Sequence, residues 1–127
     1  MNRKDKGKLG EDVCAWYLEK HGYTLVARNV HSRYGEVDLI AENDRYICFV
    51  EVKTRTLDAL VSPAEAVDFR KQQKLVLTAQ HYLTTHETQK QPRFDVFEVL
   101  LSDEDRPAKV RLIENAFDAS CIDSLYY

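Results

Sequence analysis

The residues of this chain whose spacing could do chemistry are carboxylates set at alternate positions in two neighbouring apolar runs. The stretch Gly35 to Arg55, GEVDLIAENDRYICFVEVKTR, holds strand-length runs at Val37 to Ala41 and Tyr46 to Val52. Between them lies Glu42-Asn43-Asp44-Arg45, where Asn and Asp favour a turn by bonding their own backbone. The pattern predicts a β-hairpin. Side chains alternate along a strand, so Glu36 and Asp38 share one face, and Glu51 and Lys53 share one face of the next strand. A turn centred on Asn43-Asp44 sets Glu36 across from Glu51 and Asp38 across from Phe49, with Asp38 diagonal to Glu51. All four charged side chains then leave one surface. Their strand neighbours are Val, Leu, Ile, Cys and Phe, and uncompensated carboxylates inside such a sheet are expensive.

A hard divalent cation, Mg²⁺ or Mn²⁺, is one way to offset that charge. Mg²⁺ is typically held by one or two carboxylates, keeps several waters and completes its shell with substrate phosphates. Asp38 and Glu51 supply the pair. Lys53, two residues on, carries an ammonium that can hold a water or stabilise charge developing on a phosphate. This is the chemistry of phosphodiester hydrolysis. The plain alternative is a salt bridge from Lys53 to Glu51, Glu36 or Asp38 with no metal, and Glu-x-Lys in a strand also arises by chance.

The elements that must position these groups can be read in outline. A helix is predicted from Leu9 to His21, with Leu9, Val13, Trp16 and Lys20 on one stripe and Gly22 ending it. Glu11 falls on a second stripe with Cys14 and Leu18; it either enters the site as an extra ligand or base, or complements the helix dipole. Tyr23 to Val30 reads as a strand with Leu25 and Ala27 on one face and Val26 and Arg28 on the other. His31 to Gly35 reads as a loop. Arg28, Arg33 and Arg55 are candidates for phosphate contacts, or are solvated surface arginines. A second helix is predicted from a capping box at Ser62, Pro63 and Glu65 to about Thr85, with Phe69, Val76, Ala79 and Leu83 facing the core. The run Arg70 to Lys74 on it is a solvated face or borders the site. Strands follow at Arg93 to Leu101 and Lys109 to Ile113. Asp95 shares a face with Phe97, Val99 and Leu101, so it requires a basic partner.

Composition bounds these readings. The 127 residues suit one domain, and 44% hydrophobic with 31% charged residues describes a soluble globular chain. No apolar run approaches membrane-spanning length and no apolar signal region opens the sequence, so a cytoplasmic protein is expected. Cys14, Cys48 and Cys121 are too few and too scattered for a disulfide framework and are expected as buried thiols. The net charge of −3 runs against a nucleic-acid partner, but residues 1–100 carry 15 Lys/Arg and 15 Asp/Glu while residues 101–127 carry 3 and 6. The acidic excess therefore sits in the C-terminal quarter, and a local basic surface remains open. Residues 1–8 read as a flexible basic arm and 119–127 as a tail that packs on the domain or on a second copy. No HExxH, Gly-rich phosphate loop or GxSxG elbow is present, and His21, His31, His81 and His86 are expected at the surface.

The order helix, strand, Asp-bearing strand, Glu-x-Lys strand, helix, strand resembles the restriction-endonuclease-like PD-(D/E)xK nuclease fold. More closely, KLGEDVCAWYLEKHGY, ARN, GEVDLIA, FVEVKTR, KQQK, RFDV and IENAF resemble the YraN family of short bacterial proteins, from about Lys8 to Phe117. That family is similar to archaeal Holliday-junction resolvases. The resemblance implies a single α/β endonuclease-like domain over residues 1–127, with a mixed central sheet of about five strands flanked by two helices. It places the acidic metal ligands at Asp38 and Glu51, the lysine at Lys53 and the resolvase-type helix acid at Glu11. The Gln and Lys of the following helix map onto Gln73 and Lys74. Val37 stands where such nucleases often carry proline. Resolvases of this type work as dimers, so a homodimer is implied. The function expected is metal-dependent hydrolysis of nucleic acid, DNA rather than RNA, with branched or structured DNA as a candidate substrate. Two other outcomes stay open: a nucleic-acid-binding or protein-binding module without turnover, and an internal ion-pair cluster.

Overall fold

The alternating apolar runs fold as strands because each has one side for each of two helices to cover. The structure, a computed structural model, describes residues 1–57 and 68–125, with 123–125 described by their backbone. In chain order the elements are α1 (Arg3–Lys20), β1 (Thr24–Ser32), β2 (Gly35–Glu42), β3 (Tyr46–Thr56), α2 (Phe69–Thr85), β4 (Gln91–Leu101), β5 (Pro107–Phe117) and a 3-10 helix, Ala119–Leu125. The strands form one sheet in the order β1-β2-β3-β4-β5. Every neighbouring pair is antiparallel except β3 and β4, which are parallel and joined through α2, as a parallel pair requires. This is the expected α/β architecture, a mixed five-stranded sheet flanked by two helices.

Two cores lie on its two faces. Cys14, Ala15 and Leu18 of α1 pack on Leu39, Ala41, Cys48, Val50, Phe97 and Val99. Leu75, Val76 and Ala79 of α2 pack on Val37, Ile40, Ile47, Phe49 and Phe94. The tail joins the second core, with Cys121 and Ile122 buried in it. All three cysteines are buried, and none forms a disulfide among the described residues. No described helix is long and apolar enough to cross a membrane.

Several boundaries differ from the sequence reading. Residues 1–8 are not an arm: α1 starts at Arg3, because the Asn2 side chain accepts from Asp5 N at 2.8 Å and caps it. The stripe with Cys14 and Leu18, not the one with Trp16, faces the sheet, and Trp16 is 61% exposed. Helix α2 is capped by Asp68, and Phe69 at its start is exposed rather than core. The proposed capping box at Ser62, Pro63 and Glu65 lies outside the described residues. Arg33-Tyr34 is a two-residue turn, since β1 continues to Ser32 and pairs it with Gly35. In β1 a bulge between Leu25 and Ala27 makes Val26 an extra residue, so Leu25 serves the α1 core and Ala27 the α2 core instead of sharing a face.

Candidate active site

The carboxylate hairpin exists, in a register two residues away from the one expected. Pairs run Leu39↔Val50, Ile40↔Phe49, Ala41↔Cys48 and Glu42↔Ile47. The turn therefore centres on Asp44-Arg45, not Asn43-Asp44. Asn43 sets it: its Oδ1 accepts from Arg45 N at 2.9 Å and Tyr46 N at 2.8 Å, so the residue that signals the turn stands beside it. The shift brings Asp38 level with Glu51 in place of Phe49.

At that level the ladder stops. Asp38 Oδ2 accepts from Val52 N at 2.8 Å, taking the place of a strand carbonyl. Alternation also breaks here, since Val37 belongs to the α2 core and Leu39 to the α1 core. Asn29, which occupies the matching position between the Arg28↔Leu39 and Val30↔Val37 pairs, has a φ of +50°, a backbone that Asn tolerates better than most residues. Asp38 consequently does not leave the sheet on the same surface as Glu51, as expected, but lies at the seam between β2 and β3. Burial and the neighbouring Glu51 push its carboxyl up to about 7, against the opposing effect of the Val52 N–H.

Glu51 is 3% exposed and faces α2. Its Oε1 meets Lys53 Nζ at 3.5 Å and Lys71 Nζ at 2.5 Å. The two ammonium groups are not equivalent. Burial and the adjacent Lys71 lower the pKa of Lys53. Burial acts in the same direction on Lys71, but its closer contact with Glu51 outweighs that and leaves it raised. Lys71 is not among the site residues expected from the sequence. A signal for it exists all the same: it lies four residues before Leu75, which is buried against the sheet, so both project from one helix face.

Glu11 lies nine positions into α1, not in its first turn, so the dipole reading fails. Burial raises its pKa, opposed by a hydrogen bond from Asn29 and the charge of Arg28. It acts on Asp38 from the α1 side, as Glu36 also does. Glu51, Arg70, Lys71, Lys74 and Glu36 line a cavity of about 390 Å³. Glu11, Arg28 and Glu36 line another, of about 450 Å³, on the side of α1. Glu36 thus borders both.

The other candidates are scattered. Arg28 is engaged by Asp12 at 2.7 Å, and Arg33 donates to the Tyr34 hydroxyl at 2.7 Å. Gln73 does not face the carboxylates; its amide donates to Cys121 O at 2.8 Å and ties the C-terminal turn to α2. Lys74 does line the Glu51 cavity. Arg55 Nε approaches Glu98 only to 3.8 Å. Asp95 has the basic partner it required, a bidentate Arg93 at 2.8 to 3.1 Å.

Among the described residues no three His, Cys, Asp or Glu side chains gather as metal ligands. The donor set is therefore not a cage. Two carboxylates, one of them without a cationic partner among the described residues, fit an ion that keeps its waters and borrows oxygens from a phosphate, as Mg²⁺ and Mn²⁺ do.

Fold and site together define a mixed α/β domain with a buried carboxylate pair where two sheet strands part, attended by two lysines. A family model described as uncharacterised protein family UPF0102 matches residues 10–99. A UPF0102 protein of Caldanaerobacter subterraneus subsp. tengcongensis is 48% identical over 119 residues, covering 92% of this chain and 98% of the relative. One from Clostridium acetobutylicum is 44% identical over 120 residues, with 92% and 98% covered. One from Caldicellulosiruptor bescii is 39% identical over 119 residues, with 92% and 100% covered. The chain belongs to the UPF0102 family, the YraN family that its motifs resemble.

Proposed function

We propose that this protein is a Mg²⁺- or Mn²⁺-dependent nuclease that hydrolyses phosphodiester bonds of nucleic acid, DNA in preference to RNA. The observation that carries the reading is Asp38, a buried carboxylate beside Glu51 whose proton affinity is raised to about 7 and which has no ammonium of its own among the described residues. Asp38 and Glu51 would hold the ion, which when bound polarises a phosphate oxygen and acidifies a water. Lys53, with its pKa lowered, accepts a proton from the attacking water more readily than an ordinary lysine. Lys71 keeps its proton and supplies fixed positive charge where negative charge grows on the phosphate. Glu11 stands on the opposite side of Asp38 as a second proton acceptor. Arg70 and Lys74 share the cavity with Glu51 and are placed for phosphates of the incoming strand.

The test is cleavage of linear, flapped and four-way DNA, and of RNA, with and without chelator, beside Mn²⁺ calorimetry of wild type and Asp38→Asn. Wild type should bind one ion and cut; Asp38→Asn should do neither. Cutting that persists in chelator overturns the reading. If a homodimer presents two such sites to a branched junction, sedimentation will give twice the chain mass.

A second reading has an observation of its own. Lys71 at 2.5 Å already satisfies Glu51 without a metal, so the scaffold could hold nucleic acid without turnover. Salt-dependent binding with no cleavage under any divalent ion would favour it.

A further inference from the structure

Beyond Val52 the β3 strand no longer pairs with β2. Pairing with β2 ends at Val50, whereas pairing with β4 continues to Thr56. Val52 N–H points to the β2 side, where Asp38 accepts it; Leu57 N–H points to β4, donating to Leu101 O at 3.0 Å. Peptide groups alternate along a strand, so Thr54 N–H faces the same open edge as Val52 N–H. The first turns of α1 pass over that edge. They enclose with it a cavity of about 470 Å³ whose lining includes Arg3, Lys6, Lys53, Thr54 and Arg55 and, among the described residues, no carboxylate.

Four cationic residues from two elements thus converge on a hollow of small-ligand size. Their existing partners are weak or remote. Arg3 has no ion pair among the described residues, and Lys6 Nζ is 3.4 Å from Asp105. Arg55 meets Glu98 only at 3.8 Å, and its buried Nε has no hydrogen-bond acceptor among the described residues. Lys53 belongs both to this hollow and to the Glu51 ion pair.

We infer that this cavity holds the phosphodiester backbone of a DNA strand next to the carboxylate site, with Arg3, Lys6 and Arg55 on the flanking phosphates. The inference rests on the reading of the Asp38 and Glu51 site as one that takes nucleic acid, and it fixes the path of the strand: along β3 where it no longer pairs with β2, beneath α1, with Lys53 at the junction of the two places. A hollow lined by four cationic residues suits a polyanion. A duplex without terminal phosphates carries internal phosphates alone, so that its binding reads the charge of the backbone and not of a chain end.

The experiment measures anisotropy of a short DNA duplex lacking terminal phosphates, in chelator, across a range of salt. The Arg3→Gln, Lys6→Gln double variant should bind more weakly, with a log–log salt slope shallower by about 2, from about 0.9 for each phosphate no longer neutralised. Arg3→Gln alone should give half that change, and Lys20→Gln, on the outer face of α1, none. Asp38→Asn should keep the wild-type slope. An unchanged slope in the double variant, with cleavage by wild type intact, overturns the cavity and leaves the nuclease reading standing. A shallower slope with no cleavage under any divalent ion supports the cavity and removes the nuclease. Absence of any binding by wild type overturns the cavity, and overturns the nuclease as well only if cleavage with divalent ions is also absent.

Discussion

Asp38 and Glu51 are neighbours treated unequally: two lysines reach Glu51, and none among the described residues reaches Asp38. The consequence is a pH dependence with a definite sign. Because the folded carboxyl titrates near 7 and its ordinary value is 3.8, the folded state holds a proton that the unfolded chain has released. Raising the pH through that window therefore costs stability, and the cost levels off above about 7. Asp38→Asn, which keeps an acceptor for Val52 N–H, should match wild type at acid pH and exceed it near neutrality in denaturant titrations; Mn²⁺ should stabilise wild type alone. Asp95 is the contrasting case, fully buried and paired with Arg93, which is itself buried. Asp95→Ala strands that guanidinium and the Asn115 N–H, so urea unfolding should show a loss of about 3–5 kcal/mol. The need of Asp95 for a base was legible from its apolar strand neighbours. That Lys71 rather than Gln73 reaches Glu51 was not, because a run of five polar residues gives a helix no apolar phase; only the buried Leu75 fixes it.

Between elements the decisive contacts are close approaches that sequence patterns do not encode. At Gly10 an added Cβ would fall 1.9 Å from Thr54 Oγ1 and 3.3 Å from Val52 Cγ1, so α1 lies on β3 only because the residue is glycine. Gly10→Ala should destabilise the fold by about 1–3 kcal/mol in chemical denaturation, through the displacement of α1. The opposite helix delivers Lys71, which competes with any cation for Glu51 Oε1. Lys71→Gln should accordingly tighten Mn²⁺ binding in calorimetry while slowing cleavage by about a hundredfold, opposite signs that a purely structural lysine would not give. The parity of β3 was legible because a register error of two residues preserves faces, but the break in alternation at Asp38 was not. The bulge at Val26 and the positive φ at Asn29 were not, since nothing in YTLVARNV marks which residue the ladder will skip.

Across the whole molecule the element order could be read from apolar period and turn residues, but the face that α1 turns to the sheet could not, because its Trp16 stripe is as apolar as the Cys14 and Leu18 stripe that is buried, and the starts of α1 and α2 depended on the side-chain caps of Asn2 and Asp68. The single parallel pair has a further consequence for how the protein is made. The β1-β2-β3 meander is local and can form as soon as it is synthesised, but the partner of β3 on its other side arrives only after the α2 crossover has been threaded and docked. Until then Glu51 is without Lys71, and the hairpin bears its acidic pair with only half the compensating charge. A nascent chain that has emerged only through β3 thus carries Glu11, Glu36, Asp38 and Glu51 in a half-assembled, self-repelling state, and the lysine of α2 that relieves it is translated after them.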